Sequence, residues 1–342
     1  MERLLKQAVL WDKSDSGAVQ CRLCHHHCRI AEGKIGICGV RKNVGGTLYS
    51  FSYDCVSAAN SDPIEKKPLY HFQPGSRSFS IASPGCNFHC DFCQNWQISQ
   101  VTQDDRQYGR AIEPRDIIDS AIHANCKSIA YTYTEPTIFI ELAEACARLA
   151  KEKGLANVFV SNGYMTTEAI DYATDWLDGI NVDLKAFSEF FYRKHCMATL
   201  EGVLETIRYI ARHTAIWMEL TTLLIPGLND SPDELKRMTE WIVKEAGAHI
   251  PWHVSRFYPQ HLLLDVAPTS EEAIHAACAI GKAAGLDYIY VGNLPGNKGE
   301  STHCPACQSL LIERNGYTVR IRQIRDGRCG HCGRKIDGFQ LP

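Results

Sequence analysis

From residue 78 onward the apolar positions form short, nearly continuous runs, separated by longer stretches in which apolar residues recur every three or four positions. The first pattern is that of strands buried in a parallel sheet, and the second is that of amphipathic helices. The predicted strands are SFSIA at 78–82, SIAYT at 128–132, ANVFVSN at 156–162, INVDLKA at 180–186, WMELTTLL at 217–224 and WHVSRFY at 252–258, with YIYVGN at 288–293 closing the series. Two helix starts carry capping boxes, Ser231 and Pro232 with Glu234, and Thr269 with Glu272. Six βα units of about 36 residues fall short of the ~250 residues of an eight-fold barrel. An α/β fold with a partial (β/α)6 barrel is therefore expected. A doubly wound open sheet is the alternative, because periodicity does not separate a curled parallel sheet from a flat one.

The flanks read differently. Residues 1–75 show no helical pattern beyond the first dozen, and LYSFSYDCVSA alternates like a strand. Residues 299–342 carry a strand-like GYTVRIRQI between two cysteine pairs. The expected organisation is a Cys-rich N-terminal extension (1–75), a catalytic barrel (76–298) and a separate C-terminal module (299–342). With 45% hydrophobic and 22% charged residues, the composition is that of a folded chain. Lys plus Arg number 36 against 39 Asp plus Glu, a net charge of -3 that supplies no general field for nucleic acid. The first twenty residues lack the pattern of a signal peptide and no stretch reaches membrane-spanning length, so a cytoplasmic protein is expected.

Sixteen cysteines in such a compartment point to metals before disulfides, and eleven of them fall into three groups. Cys86, Cys90 and Cys93 stand as C-x3-C-x2-C directly after the first predicted barrel strand, where barrel enzymes place their sites. Three thiolates can hold three irons of a 4Fe-4S cube and leave the fourth open to another ligand. The competing reading is a zinc site that adds His89. Cys21, Cys24, Cys28 and Cys38 form C-x2-C-x3-C-x9-C, which suits either zinc or an auxiliary iron-sulfur cluster. The spacing does not separate the two, and zinc is slightly preferred. Cys304, Cys307, Cys329 and Cys332 have the two-knuckle spacing of a zinc ribbon. The formal +4 of residues 301–342 falls by about 2 once four thiolates hold zinc, which is too little for nucleic acid and fits a rigid cap or a docking module. Cys55 and Cys196 receive no role.

Polar residues gather at the ends of the later strands: Thr134 and Glu135, then Ser161 and Asn162, then Asp183 and Lys185. Asp183 and Lys185, two apart on a strand, point to the same side, as a charged pair facing a polar ligand would. Thr221, Thr222, His253, Ser255 and Arg256 are expected near the same mouth, with His253 read chiefly as a hydrogen-bonded structural histidine.

The C-x3-C-x2-C spacing, with the aromatic Phe92 before its last cysteine, resembles the radical S-adenosylmethionine (SAM) superfamily. Residues 78–260 are similar to the activating enzymes of glycyl-radical enzymes, such as pyruvate formate-lyase activating enzyme. Over nearly the whole chain, CRLCHHHCRIAEGKIGICGVR, DPIEKKPLYHFQPGS, GCNFHCDFCQNWQIS, YTYTEPTIF, VDLKAF and YVGNLPG resemble the AmmeMemoRadiSam system radical enzymes, named for their genomic company with AMMECR-type and MEMO-type proteins. The resemblance implies a 4Fe-4S cluster at Cys86, Cys90 and Cys93 that binds SAM and opens it reductively to a 5'-deoxyadenosyl radical. It implies SAM contacts from Phe92, Thr134, Glu135, Ser161, Asn162, Asp183 and Lys185. Tyr133 and Thr134 stand where the superfamily often has two glycines. An electron donor such as flavodoxin or ferredoxin is the implied partner, and a protein or peptide the implied substrate, with AMMECR-type and MEMO-type proteins as candidates. Radical modification of a small metabolite and a non-catalytic metal-bound scaffold are the alternatives.

Overall fold

A computed structural model describes residues 6–101 and 109–342. Its main sheet has eight strands: β1 (Ala58–Pro63), β2 (Arg77–Ala82), β3 (Ser128–Tyr131), β4 (Ala156–Ser161), β5 (Gly179–Asp183), β6 (Trp217–Leu224), β7 (Trp252–Arg256) and β8 (Ile289–Gly292). They lie side by side in chain order. β1 is antiparallel to β2, and every other neighbouring pair is parallel. The helices α1 (Pro114–His123), α2 (Ile140–Glu152), α3 (Thr167–Ala173), α4 (Leu200–His213), α5 (Pro232–Trp241) and α6 (Glu271–Ala284) follow β2 to β7 in turn.

The strand order decides between the two architectures. A doubly wound sheet reverses its order at a switch point, whereas an order that only advances, joined by right-handed crossovers, puts every helix on one face. The contacts agree, because α2, α5 and α6 meet Asn157, Thr222 and Trp252 on the face that also carries Phe159, Val182 and Leu220. The opposite face is small and polar, with Ser78, Ser80, Asn181, Glu219, Thr221 and His253, all buried.

The base of that polar face is plugged by residues 64–73. Phe72 is buried beneath Gly179, where a Cβ would come within 2.8 Å of its ring. Glu219 accepts the backbone N–H groups of Tyr70 and His71, and also His253 Nε2 at 2.7 Å. His253 therefore faces inward but belongs to the base, as a hydrogen-bonded structural histidine, and not to the mouth. Thr222 also differs from expectation: on the helical face it accepts Trp252 Nε1 and donates to the Leu184 carbonyl.

Residues 302–329 build the C-terminal module from short antiparallel strands. It seals the base instead of standing apart. Phe339 stacks on Phe72 at 4.4 Å, Gln73 N donates to the Phe339 carbonyl, and Arg314 donates to the Tyr70 carbonyl. Ser231 caps α5 as expected. The cap of α6 is Ser270, one residue past the expected Thr269, whose hydroxyl donates to the Leu224 carbonyl and accepts Phe257 N–H. Among the described residues no helix is long and apolar enough to cross a membrane.

Candidate active site

β2 ends at Ala82, and residues 83–95 turn across the C-terminal ends of the parallel strands, bringing Cys86, Cys90 and Cys93 there. Gly85 sits at φ 100°, and a Cβ on it would lie 2.8 Å from the Cys38 carbonyl, so the loop runs directly against the N-terminal extension. The backbone is held from the other side as well. His89 N–H and Asp91 N–H donate to the carbonyls of Cys196 and His195, while Leu262 N–H donates to the Asp91 carbonyl.

The thiols meet donors suited to thiolates. Phe88 N–H points at Cys86 Sγ (3.3 Å), Asn162 Nδ2 stands 3.8 Å from the same sulfur, and Ser99 Oγ is 3.1 Å from Cys93 Sγ. His89 Nδ1 bonds Gln100 Oε1 at 2.6 Å. Cys196, given no role from sequence, is buried and hydrogen-bonds Cys90, lowering the Cys90 thiol. Only its place in the fold marks it, since it stands alone in the sequence.

Around these thiols the predicted polar residues come together in two groups. Glu135 is buried and spends both oxygens on the chain itself: Oε1 accepts Thr137 N, Thr137 Oγ1 and Ser161 Oγ, and Oε2 accepts Asn162 N. Burial raises its carboxyl, and these donors oppose the rise. Glu135 thus ties the end of β3 to the end of β4. Asn162 reaches on to Asn87 Oδ1 at 2.7 Å, and Thr134 Oγ1 donates to the Ser83 carbonyl.

The second group is the charged pair. Lys185 Nζ lies 2.8 Å from Asp183 Oδ2, on one side of the chain as the spacing predicts, and 5.9 Å from the centroid of Phe92. Burial works against its charge, but Asp183 and the thiols of Cys90 and Cys196 hold it well above the usual lysine range. Asp183 keeps 37% of its side-chain exposure and so has a free edge for a ligand. Phe92 is buried and packs on Phe191.

Tyr133 takes the left-handed conformation (φ 66°) that a glycine would adopt freely, at a cost of roughly 1–2 kcal/mol for a bulky residue. Its hydroxyl donates to Asp62, and Lys67 lies over its ring at 5.0 Å while also bonding Asp62 at 2.8 Å. Asp62 belongs to β1, so that strand holds the turn in place of the missing glycines.

Residues 80–242 match the Radical SAM superfamily. That stretch is a radical SAM domain. An uncharacterized protein of Methanocaldococcus jannaschii is 42% identical over 335 residues, covering 97% of this chain and 99% of its own. A proposed glycyl-radical enzyme activating enzyme of the same organism is 24% identical over 220 residues, covering 63% of this chain and 79% of its own. A radical SAM methyltransferase from Sphaerobacter thermophilus shares the fold, with a TM-score of 0.52 at 15% identity, over 64% of this chain and 67% of that one. Superfamily membership implies SAM and a 4Fe-4S cluster as cofactors.

Proposed function

We propose that this radical SAM protein carries a partial (β/α)6 barrel, holds a 4Fe-4S cluster at Cys86, Cys90 and Cys93, and uses it to abstract hydrogen from a protein or peptide, as glycyl-radical activating enzymes do. The observation that carries the reading is one loop bearing three thiols, with Asn162 on Cys86 and Lys185 beside Cys90, at the open end of the polar face. A 4Fe-4S cluster with SAM on its open iron supplies the electron that opens a carbon-sulfur bond and yields a 5'-deoxyadenosyl radical. The protein's own part is to bind and orient. Asp183 and Lys185 offer opposite charges to the amino and carboxylate groups of SAM, while Glu135 keeps Ser161 and Asn162 in place at the neighbouring strand end.

A macromolecular substrate is favoured by the surroundings of Asp91. Phe190, Met197, Leu262 and Leu264 are each 60–68% exposed on the two segments that bond the cysteine loop. Exposed apolar side chains grouped at a site mark protein contact more than metabolite capture. Flavodoxin or ferredoxin would deliver the electron, and the AmmeMemoRadiSam likeness nominates AMMECR-type and MEMO-type proteins as substrates. The test is anaerobic reconstitution followed by measurement of 5'-deoxyadenosine, with and without deuterated candidate proteins. Deuterium arriving in 5'-deoxyadenosine from a protein is the expected result. Transfer from a small-molecule extract alone would replace the protein substrate, and no 5'-deoxyadenosine from a fully loaded, reduced sample would leave a metal-bound scaffold.

A further inference from the structure

Two sets of four cysteines lie outside the SAM site, and their geometries differ. In the C-terminal module all four ligand atoms lie within 4.8 Å of one another, with Cys304 to Cys332 at 3.6 Å and Cys307 to Cys329 at 3.7 Å. A tetrahedron built on zinc-sulfur bonds of about 2.3 Å has edges of about 3.8 Å, so this module fits one zinc ion. No other group of three or more His, Cys, Asp or Glu ligand atoms among the described residues converges so closely. Cys21, Cys24, Cys28 and Cys38 instead line one shared cavity, and no three of their sulfurs lie within 4.8 Å of one another. Leucine and isoleucine side chains form half of the remaining wall, and three polar side chains complete it, His26, Arg41 and Asn87.

Arg41 carries an unanswered donor. Arg41 is 1% exposed, with one guanidinium nitrogen 3.7 Å from Cys21 Sγ, another on Glu141 at 2.5 Å, and Nε without a partner. Asn87 is buried beside it, and its side chain hydrogen-bonds the Cys24 thiol. A buried guanidinium beside a thiol-lined cavity favours an anionic occupant, and sulfurs spread wider than a zinc tetrahedron fit one larger than a single ion. The inorganic sulfides of a cluster meet that need, whereas a zinc ion held by four thiolates leaves no space between them.

We propose that Cys21, Cys24, Cys28 and Cys38 hold a second, fully ligated 4Fe-4S cluster that passes electrons to the SAM cluster through Asn87. Four thiolates cap all four irons, so this cluster has no open iron for SAM and serves electron transfer alone. Its neighbour is the catalytic loop: Asn87 lines the cavity and directly follows Cys86 in the chain, and Gly85 packs on the Cys38 carbonyl. One electron leaves the N-terminal cluster, which is oxidised, and reduces the SAM cluster; a one-electron donor protein then restores the first. The electron path rests on the proposed radical SAM chemistry, but the metal assignment does not.

The full chain, purified without oxygen, should contain about eight irons and one zinc, against about four irons and two zincs if the N-terminal set is a zinc site. After reduction, paramagnetic resonance should show two cluster signals, of which SAM alters one. The Cys86→Ala, Cys90→Ala, Cys93→Ala triple variant should keep about four irons and the SAM-insensitive signal, while Cys24→Ser should lose that signal and keep the other. A wild-type chain with about four irons, two zincs and a single SAM-responsive signal would overturn the second cluster and leave the proposed function standing. Retention of only a SAM-insensitive cluster in the wild type would do the reverse. If the cysteine variants do not fold, the wild-type iron and zinc contents still decide.

Discussion

Asp183 and Lys185 are the side chains whose removal should act on SAM and leave the chain intact. A charge-assisted contact contributes roughly 1.5–3 kcal/mol, so Asp183→Asn or Lys185→Met should weaken SAM binding about ten-fold or more with the iron content unchanged. Equilibrium titration of the reconstituted protein reads this directly, and unchanged binding in both would make the pair a structural salt bridge. Glu135 should behave differently, because it accepts four hydrogen bonds from the chain itself. In Glu135→Gln the amide turns a donor toward a donor, and the melting point of SAM-free protein should fall by the equivalent of about 1–3 kcal/mol. A residue that only touched SAM would leave that melting point unmoved. Asp62→Asn should cost more, about 3–5 kcal/mol by chemical denaturation, because it leaves Lys67 buried without its counter-charge. Asp62, and its bond from the Tyr133 hydroxyl, were not legible as part of the site. Tyr133 occupies a position where a glycine is the signal, and the strand that answers for it reads AANSDP, too polar to stand out.

The parallel strands were legible because a strand covered on its helical face by large apolar residues and on the other by small or polar buried ones still reads as a dense run. β1 was not, since it is an antiparallel edge strand ending in Pro63 and burying an aspartate. Capping boxes were legible to within a residue. Thr269 and Ser270 are both capping types, and only the tertiary bonds of Thr269 to Leu224 and Phe257 show which one is free to cap. Ser270→Ala should therefore cost about 1 kcal/mol of stability, an ordinary capping loss. Thr269→Val should cost more, about 1–3 kcal/mol, because it strands the Phe257 N–H in the interior. Thermal melts of the two variants side by side check the order. The C-x3-C-x2-C group stood out by its spacing, and the fold carries it on one loop beyond β2, whereas Cys196 had no spacing to betray it.

At the scale of the molecule, the C-terminal module and the cysteine loop lie at opposite ends of the sheet. The module therefore supports the base and does not present a substrate at the mouth. A chain cut after Gly299 should expose Tyr70, Tyr288 and Tyr290 and lose stability before it loses any ligand of the SAM cluster. Amide exchange across residues 64–73, compared with the cysteine loop, would show the difference. His71 links the two parts, bonding the Asp337 carbonyl and the Tyr290 hydroxyl, each at 2.6 Å. Burial pushes its imidazole down to about 4, although Glu219 pulls the other way. The folded state thus keeps His71 neutral while the unfolded chain takes up a proton below about 6.5, so this contribution is complete above 6.5 and is lost as pH falls toward about 4. The fall, about 3 kcal/mol in order of magnitude, should be largely absent from His71→Gln in melts across that window. The strictly sequential order of the sheet has a consequence for biogenesis. Each strand pairs with the one synthesised just before it, so the nascent chain can extend the sheet from its leading edge without waiting for distant partners. The cysteine loop is in place early, but the backbone bonds that clasp it come from residues 195–196 and 262, which leave the ribosome much later. If the loop takes up a cluster as proposed, assembly during translation would meet it before those two segments close on it.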